Sequence, residues 1–285
     1  QSVADTVANI TLIDGLTTSE VSMAGADVSI TDTGATKTQV DNVNAFTTGT
    51  VTPTSVTEDR ADITTLQATT GISLATTDLK VTDAVTLGQA NTLNTFTTGT
   101  VTLDSVSDTV ANLATLQALS NAEVTISAAI INVTDTATKA NADTINGYTT
   151  GQVTLTTVED TLANITAIDD ITTSEVTMAA ANITVTDQVS KGQADTVNGY
   201  TSGQVVLNSV SDTVANLAAI EAITDSEMKF ADDGAISVSD AATKANADTI
   251  NLYTTGQVTL TSVSDTVANI TLIDGLTTSE VTMAG

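Results

Sequence analysis

The chain has 285 residues, with 7 Lys+Arg against 34 Asp+Glu, no His and no Cys, and a formal charge of −27. That anionic excess argues against nucleic acid, whose binding rests on Lys and Arg neutralising phosphate, and against anionic membrane surfaces; the missing Cys removes disulfides and thiolate metal sites. Hydrophobic residues make up 41% but aromatics only 2%, so any core is continuous, thin and built from small side chains, and no apolar run is long enough for a transmembrane helix.

The chain is periodic. An aromatic-Thr-Thr/Ser-Gly signature recurs at Phe46, Phe96, Tyr148, Tyr200 and Tyr253, at steps of 50, 52, 52 and 53. Residues 265–285 repeat residues 5–25 with one change, Ser22 against Thr282. The spacing predicts five units of about 52 residues (5–57, 58–107, 108–159, 160–211 and 212–264) and the start of a sixth at 265–285. Fixed-period self-similarity of this kind marks stacked repeats. We therefore expect one continuous array over 1–285, a window cut from a longer chain.

Each unit divides again. An acidic residue opens each half: Asp5, Asp32, Glu58, Asp83, Asp108, Asp135, Asp160, Asp187, Asp212, Asp240 and Asp265. The step averages about 26 residues, in the range of strand-plus-helix repeats. After each acidic residue comes a helical signal, such as Val214, Leu217, Ile220 and Ile223 at every third position. The Asp is placed to act as helix N-cap, accepting a free N–H of the first turn. In the other half Gly147 and Gly199 are candidate C-terminal stops. Lys37, Lys139, Lys191 and Lys244 each precede an Asp by four (Asp41, Asp143, Asp195, Asp248), and Leu87 and Asn91 replace both partners together. Such pairing is diagnostic of a helix face. Between helices, Val153-Thr-Leu-Thr-Thr-Val and its relatives alternate with period two, as half-buried strands do.

Each unit is thus predicted as helix, short strand, strand, helix, strand, and the whole as an α/β solenoid, with an all-β solenoid as the alternative. Strands stack about 4.8 Å apart and helices need about 8–10 Å. An array with a helix behind every strand is then expected to curve, to splay its helices, or to place them on alternate sides. Pro53 falls inside a strand and is expected to weaken that rung or to sit on a bulge. The Gly after each Thr-Thr or Thr-Ser (Gly49, Gly99, Gly151, Gly203, Gly256) is expected to take a positive φ.

Functional readings of the recurrent residues stand beside structural ones. The acidic series reads as helix caps or as a calcium ladder, with Asp232 and Asp233 as the weak candidate ligands. No cofactor is required by the sequence, and Ca2+ is the one ion it suggests. The five aromatics read as a packed ladder or as sugar-stacking rings. Thr-x-Thr strands suit an ice-binding grid or any exposed β face. Asn9, Asn132, Asn164, Asn182 and Asn269 open Asn-x-Thr sequons. The sequence has no G-x-S-x-G, P-loop or G-x-G-x-x-G motif; the most deviant stretch, residues 227–234, reads as a loop insertion, no unit departs from the rest as an active site would, and the chain reads as a non-enzyme.

The runs Ser-Asp-Thr-Val-Ala-Asn-Leu (211–217) and Val-Thr-Leu-Thr-Ser-Val-Ser-Asp-Thr (258–266) resemble repeats of giant, acidic, Thr-rich bacterial surface proteins, including repetitive adhesins and marine cyanobacterial surface proteins. That resemblance implies an extracellular or cell-surface location and a filament, surface layer or adhesive stalk. The expected partners are further copies of the chain and cell-surface glycans, with no nucleic acid and no membrane insertion.

Overall fold

Three-residue apolar spacing becomes short helices, and period-two spacing becomes parallel strands, in the order the sequence predicts except that among the described residues no short strand precedes the strands at 27–30 and 78–85. In the computed structural model, which describes residues 1–16, 21–119, 123–172, 175–276 and 280–284, helix, short strand, strand, helix and strand follow one another across residues 110–160. Contacts group the chain into two units, residues 1–133 with 145–153, and residues 134–144 with 154–285.

The first unit carries β1 (Ser2–Asp5), α1 (Val7–Asp14), β2 (Asp27–Ile30), α2 (Lys37–Asn44), β3 (Val51–Pro53), β4 (Ser55–Glu58) and α3 (Arg60–Ala68). It continues with β5 (Asp78–Val85), α4 (Leu87–Asn94), β6 (Val101–Asp108), α5 (Val110–Ala118), β7 (Val124–Thr125) and the start of β8 (Ile130–Ala137). β1, β2 and β3 form one parallel sheet, and β4, β5, β6 and β8 another, with β7 beside β6. Helix α6 (Lys139–Asn146) begins in the second unit.

The second unit adds β9 (Val153–Asp160), α7 (Leu162–Asp169), β10 (Val176–Thr177), β11 (Asn182–Val189), α8 (Lys191–Asn198), β12 (Val205–Asp212) and α9 (Val214–Glu221). β13 (Met228–Ala242), α10 (Lys244–Ile250), β14 (Val258–Val263), α11 (Val267–Asp274) and β15 (Val281–Met283) complete it. Its sheet is large, open and parallel, in the order β15-β14-β13-β12-β11-β9 with β10 beside β9. The fold is α/β: every strand is followed by a helix except where a short strand intervenes.

The core lies between strands and helices. On β12, Val205, Leu207 and Val210 are buried, and α9 answers with Leu217 and Ile220. The same pattern recurs at Val101, Leu103 and Val106 against Leu113 and Leu116. Thr102 and Thr184, between buried neighbours, are only half-covered. The face opposite the core carries Thr and other polar side chains and is only partly covered, which is unusual for parallel strands.

The spacing conflict between strands and helices is met by stagger. In the second unit Val158 pairs with Ile183, and Ile183 with Val205. They lie three, seven and eight residues before their own N-caps, Thr161, Ser190 and Thr213. In the first unit Val56, Leu79 and Val101 repeat those offsets before Asp59, Thr86 and Thr109. The two steps are thus unequal, four residues and then one, and average about two and a half residues, roughly 8 Å along the strand on top of about 4.8 Å sideways. Equivalent points move by about 9 Å per turn, which is the room packed helices need.

Two local features differ from the sequence reading. Pro53 ends β3, and the strand that would continue it restarts at Ser55, so that β3 pairs with β2 while β4 pairs with β5. The irregular stretch at 227–234, expected as a loop, lies largely within the 15-residue β13. It is accommodated by a register shift, Phe230 pairing with Leu207 and Ala235 with Ser209.

Candidate functional site

What recurs in every unit is the seam between one turn and the next, and three sets of residues build it. The acidic series forms the first. None of the ten predicted Asp caps holds an N-cap position. Asp5, Asp108, Asp160 and Asp212 are the last residues of strands, Asp265 immediately precedes the cap Thr266, Asp83, Asp135, Asp187 and Asp240 lie inside β5, β8, β11 and β13, and Asp32 follows β2. The caps are the hydroxyl residues that come after them: Thr6, Thr36, Thr86, Thr109, Thr161, Ser190, Thr213, Thr243 and Thr266. Each has extended φ/ψ, and its hydroxyl accepts the N–H three residues on, whereas the Asp lies too early to take that backbone N–H and meets its own helix only through an Asn side chain.

The carboxylates instead cap the helix of the previous turn. They accept the first helical N–H from that helix: Val7 donates to Asp32 (2.6 Å), Lys37 to Glu58 (2.6 Å), Arg60 to Asp83 (2.7 Å), Leu87 to Asp108 (2.7 Å), Lys139 to Asp160 (2.9 Å), Leu162 to Asp187 (2.7 Å), Lys191 to Asp212 (2.8 Å), Val214 to Asp240 (2.9 Å) and Lys244 to Asp265 (2.9 Å). The negative charge meets the positive end of a helix dipole. Asp108, Asp160, Asp212 and Asp265 also accept the N–H of the following Thr and the side-chain amide of Asn112, Asn164, Asn216 and Asn269. Burial works against ionisation of Asp108, Asp160 and Asp212, but these donors outweigh it and hold the carboxyls below the usual range. Asp265 is likewise lowered, by the Lys244 N–H first.

The second set is the Thr-Thr/Ser-Gly signature. Its first Thr, not its aromatic, is the deeper residue: Thr47, Thr97, Thr149 and Thr254 are buried, while Phe46, Phe96, Tyr148, Tyr200 and Tyr253 are half-exposed. The Thr149 hydroxyl donates to Ala129 O (2.6 Å) and accepts from Gly151 N (2.8 Å), and Thr47, Thr97, Thr201 and Thr254 repeat this. The next hydroxyl reaches the same turn, as Thr98 does at Ala75 O and Ser202 at Ala179 O.

The glycine closes the contact. Gly49, Gly99, Gly151, Gly203 and Gly256 do not have positive φ; among the described residues only Gly34 and Gly71 do. The reason for glycine is proximity, because a Cβ at any of the five would sit within 3.0 Å of a carbonyl in the previous turn. Gly199 is a helix C-cap with an ordinary right-handed φ of −71°, so it too is no left-handed stop. The aromatics do not stack on one another. The one ring pair among the described residues is Phe230 with Tyr253, centroids 5.9 Å apart and 7° from parallel.

Lysines supply the third set. Lys37–Asp41, Lys139–Asp143, Lys191–Asp195 and Lys244–Asp248 form ion pairs at 2.5 to 2.6 Å, as the helix spacing predicts. All four of these helices, and α4, also carry capping boxes, with Gln39, Gln89, Asn141, Gln193 or Asn246 returning to the N-cap N–H. The Ser/Thr-x-x-Gln/Asn pattern in the sequence announces them.

Asp232 and Asp233 are exposed and lie in the irregular part of β13 between Phe230 and Ala235, where the register shifts. The Asp232 carboxylate lies 3.4 Å from the Lys229 ammonium. Among the described residues no cluster of three acidic side chains is placed to hold a metal ion. Of the sequon amides, those of Asn9, Asn164 and Asn269 donate to Asp5, Asp160 and Asp265, and that of Asn132 to Ser107. On the uncovered sheet face, Lys80 pairs with Asp104 at 3.3 Å, and register shifts within strands interrupt any flat hydroxyl grid. No helix among the described residues is long and apolar enough to cross a membrane. Comparison with family models, with curated proteins and with solved structures finds no match.

Proposed function

We propose that this chain is part of an α/β solenoid whose role is structural: an extracellular filament, surface layer or adhesive stalk, built by stacking repeats. The observation that carries this reading is the sameness of the seam. Carboxylate, buried Thr and close-approach Gly recur from unit to unit, and each joins one turn to the next rather than lining a cavity. In such an array stability accumulates from nearest-neighbour interfaces, and length itself is the useful property. The charge of −27 keeps neighbouring chains apart until cations screen or bridge them.

Electron microscopy of the native protein, with and without chelator, tests this. Rods of constant width support the structural role, and bundles that form in millimolar calcium and dissolve on chelation add a cation to it. Isolated compact particles would rule the reading out and turn attention to glycans or ice on the Thr-rich face.

A further inference from the structure

Parallel strands are ordinarily covered on both faces, but in the second unit the face opposite the helices is only partly covered. On that face the register lines up one row of side chains across four strands. Glu159 of β9 pairs with Thr184 of β11, Thr184 with Val206 of β12, and Val206 with Lys229 of β13. The residues just before them, Val158, Ile183, Val205 and Met228, are all in the core, so the alternation of a strand turns the row away from it. Glu159 is exposed, and Thr184, Val206 and Lys229 are half-exposed.

In a chain of charge −27 this row is neutral. The other carboxylates of the same four strands sit elsewhere. Asp160, Asp187, Asp212 and Asp240 accept N–H groups at helix starts. Asp232 and Asp233 lie in the irregular part of β13, Asp232 at 3.4 Å from the Lys229 ammonium. The row also has a direction: an acid at one end, a base at the other, and Thr and Val between them.

We infer that two copies of this chain pack face to face through this surface, about a two-fold axis that runs parallel to the strands and passes between Thr184 and Val206. That axis reverses the row, so Glu159 of each copy meets Lys229 of the other and Thr184 meets Val206. Such self-complementarity is what a two-fold contact requires. An axis along the row would instead set Glu159 on Glu159 and Lys229 on Lys229, which like charge opposes. Facing sheets pack about 10 Å apart with strand directions within about 30°, close enough for half-exposed Thr and Val side chains to interdigitate. β9, β11 and β12 have eight residues each and β13 fifteen. At about 4.8 by 3.3 Å per residue they tile about 600 Å². Two copies would then bury about 1,200 Å² together, at the lower end of what specific interfaces bury. This deepens the structural reading, on which it rests, by naming the surface through which neighbouring chains pair.

The test is sedimentation equilibrium of the 285-residue chain over a range of concentrations, in chelator and about 0.15 M salt, where charges further apart than about 8 Å are screened. A concentration-dependent dimer is expected for the parent. Glu159→Lys and Lys229→Glu should each raise the concentration of half-association at least tenfold. Glu159→Lys makes the chain less negative, so general repulsion alone predicts the opposite change. Both substitutions in one chain should restore the dimer. The two single variants, mixed, should also pair with each other, because every contact then joins a base to an acid again. Circular dichroism checks that each variant keeps the parent fold. Should one fail to fold, Thr184→Cys and Val206→Cys copies, mixed and oxidised, are expected to give a disulfide-linked heterodimer. A parent that stays monomeric would overturn the pairing and leave the face to glycans or ice. Single variants that associate like the parent, singles that do not complement each other, or the absence of the cross-link would overturn it too. Rods of unpaired chains in the native protein would leave the structural role standing, and pairing of compact particles would leave the contact standing, so the two proposals fail separately.

Discussion

Residues 51–62 and 205–216 do the same work with different residues. In the later stretch, β12 runs unbroken from Val205 to Asp212, Asp212 accepts three hydrogen bonds, and Thr213 caps α9. In the earlier one, Pro53 stands where Leu207 does and splits the strand; Glu58 replaces Asp212 and reaches the Lys37 N–H; Asp59 replaces Thr213 as cap. The helix starts are nonetheless closed in both. What the seam demands is an acceptor at a position, and two carboxylates of different length meet it. What it does not tolerate is a side chain at the close-approach glycine, which is invariant in all five signatures.

The largest effect should therefore come from that glycine. Gly203→Ala would force a Cβ into the Ala181 carbonyl, and should destabilise the second unit by about 3 kcal/mol or more, read by chemical denaturation. Gly192→Ala is the matched control. It lies on α8 with nothing within 4 Å of the added carbon, and should stabilise by up to about 1 kcal/mol. Equal effects at the two sites would mean that the seam has room.

Next is the carboxylate. Asp212→Asn keeps the shape but loses the charge that three donors share, and should cost about 2 kcal/mol at neutral pH; Glu58→Gln, with fewer donors to serve, should cost less. The pH dependence has a definite sign. The folded pKa of Asp212 lies below its unfolded value, with Asp108 and Asp160 alike. Their stabilisation is present in full above the unfolded value, near 3.9, and is lost as pH falls through the folded one. Asp169 and Glu221 oppose this: burial raises both, with Asp170 and Asp225 adding repulsion, so protonation relieves them. The difference between parent and Asp212→Asn isolates one group, and it should shrink below about pH 4. A constant difference down to pH 2 would show that the charge is not what the donors hold. At Thr149→Val, a hydroxyl that serves both Ala129 O and Gly151 N is lost from a buried site, and about 1–2 kcal/mol is expected, against a smaller loss for Thr150→Val, whose exposed hydroxyl gives up only its bond to Ser127 O.

The order of elements was legible because each carries its own period. Val214, Leu217 and Ile220 could only make one helix face, and the co-loss of Lys and Asp at Leu87 and Asn91 marks the second helix. What was not legible was the step between turns. Asp108 looks like a cap because an acidic residue before a helix usually is one; that its donor is Leu87, 21 residues back, depends on a stagger that no local pattern encodes. The glycines misled for the same reason. A positive φ is a local property and close approach is a tertiary one, and sequence alone does not separate them. The aromatics drew attention by rarity, whereas the buried partner was the ordinary Thr beside them.

The smallest effect tests the comparison most directly. Pro53 occupies the last position of β3 opposite Ile30, its carbonyl accepts the Thr77 hydroxyl at 2.7 Å, and Thr54 N–H reaches Ile30 O. The site is buried and already serves its neighbours, so the break removes few bonds. Pro53→Leu, restoring the residue found at Leu103, Leu155, Leu207 and Leu260, returns an N–H to the ladder but also frees the unfolded chain. These oppose each other, and the net change should stay within about 1 kcal/mol, while hydrogen exchange at Thr54 and Ser55 slows at least tenfold as β3 and β4 become one strand. If exchange there is unaltered, the interruption belongs to the stagger at this turn and not to the proline.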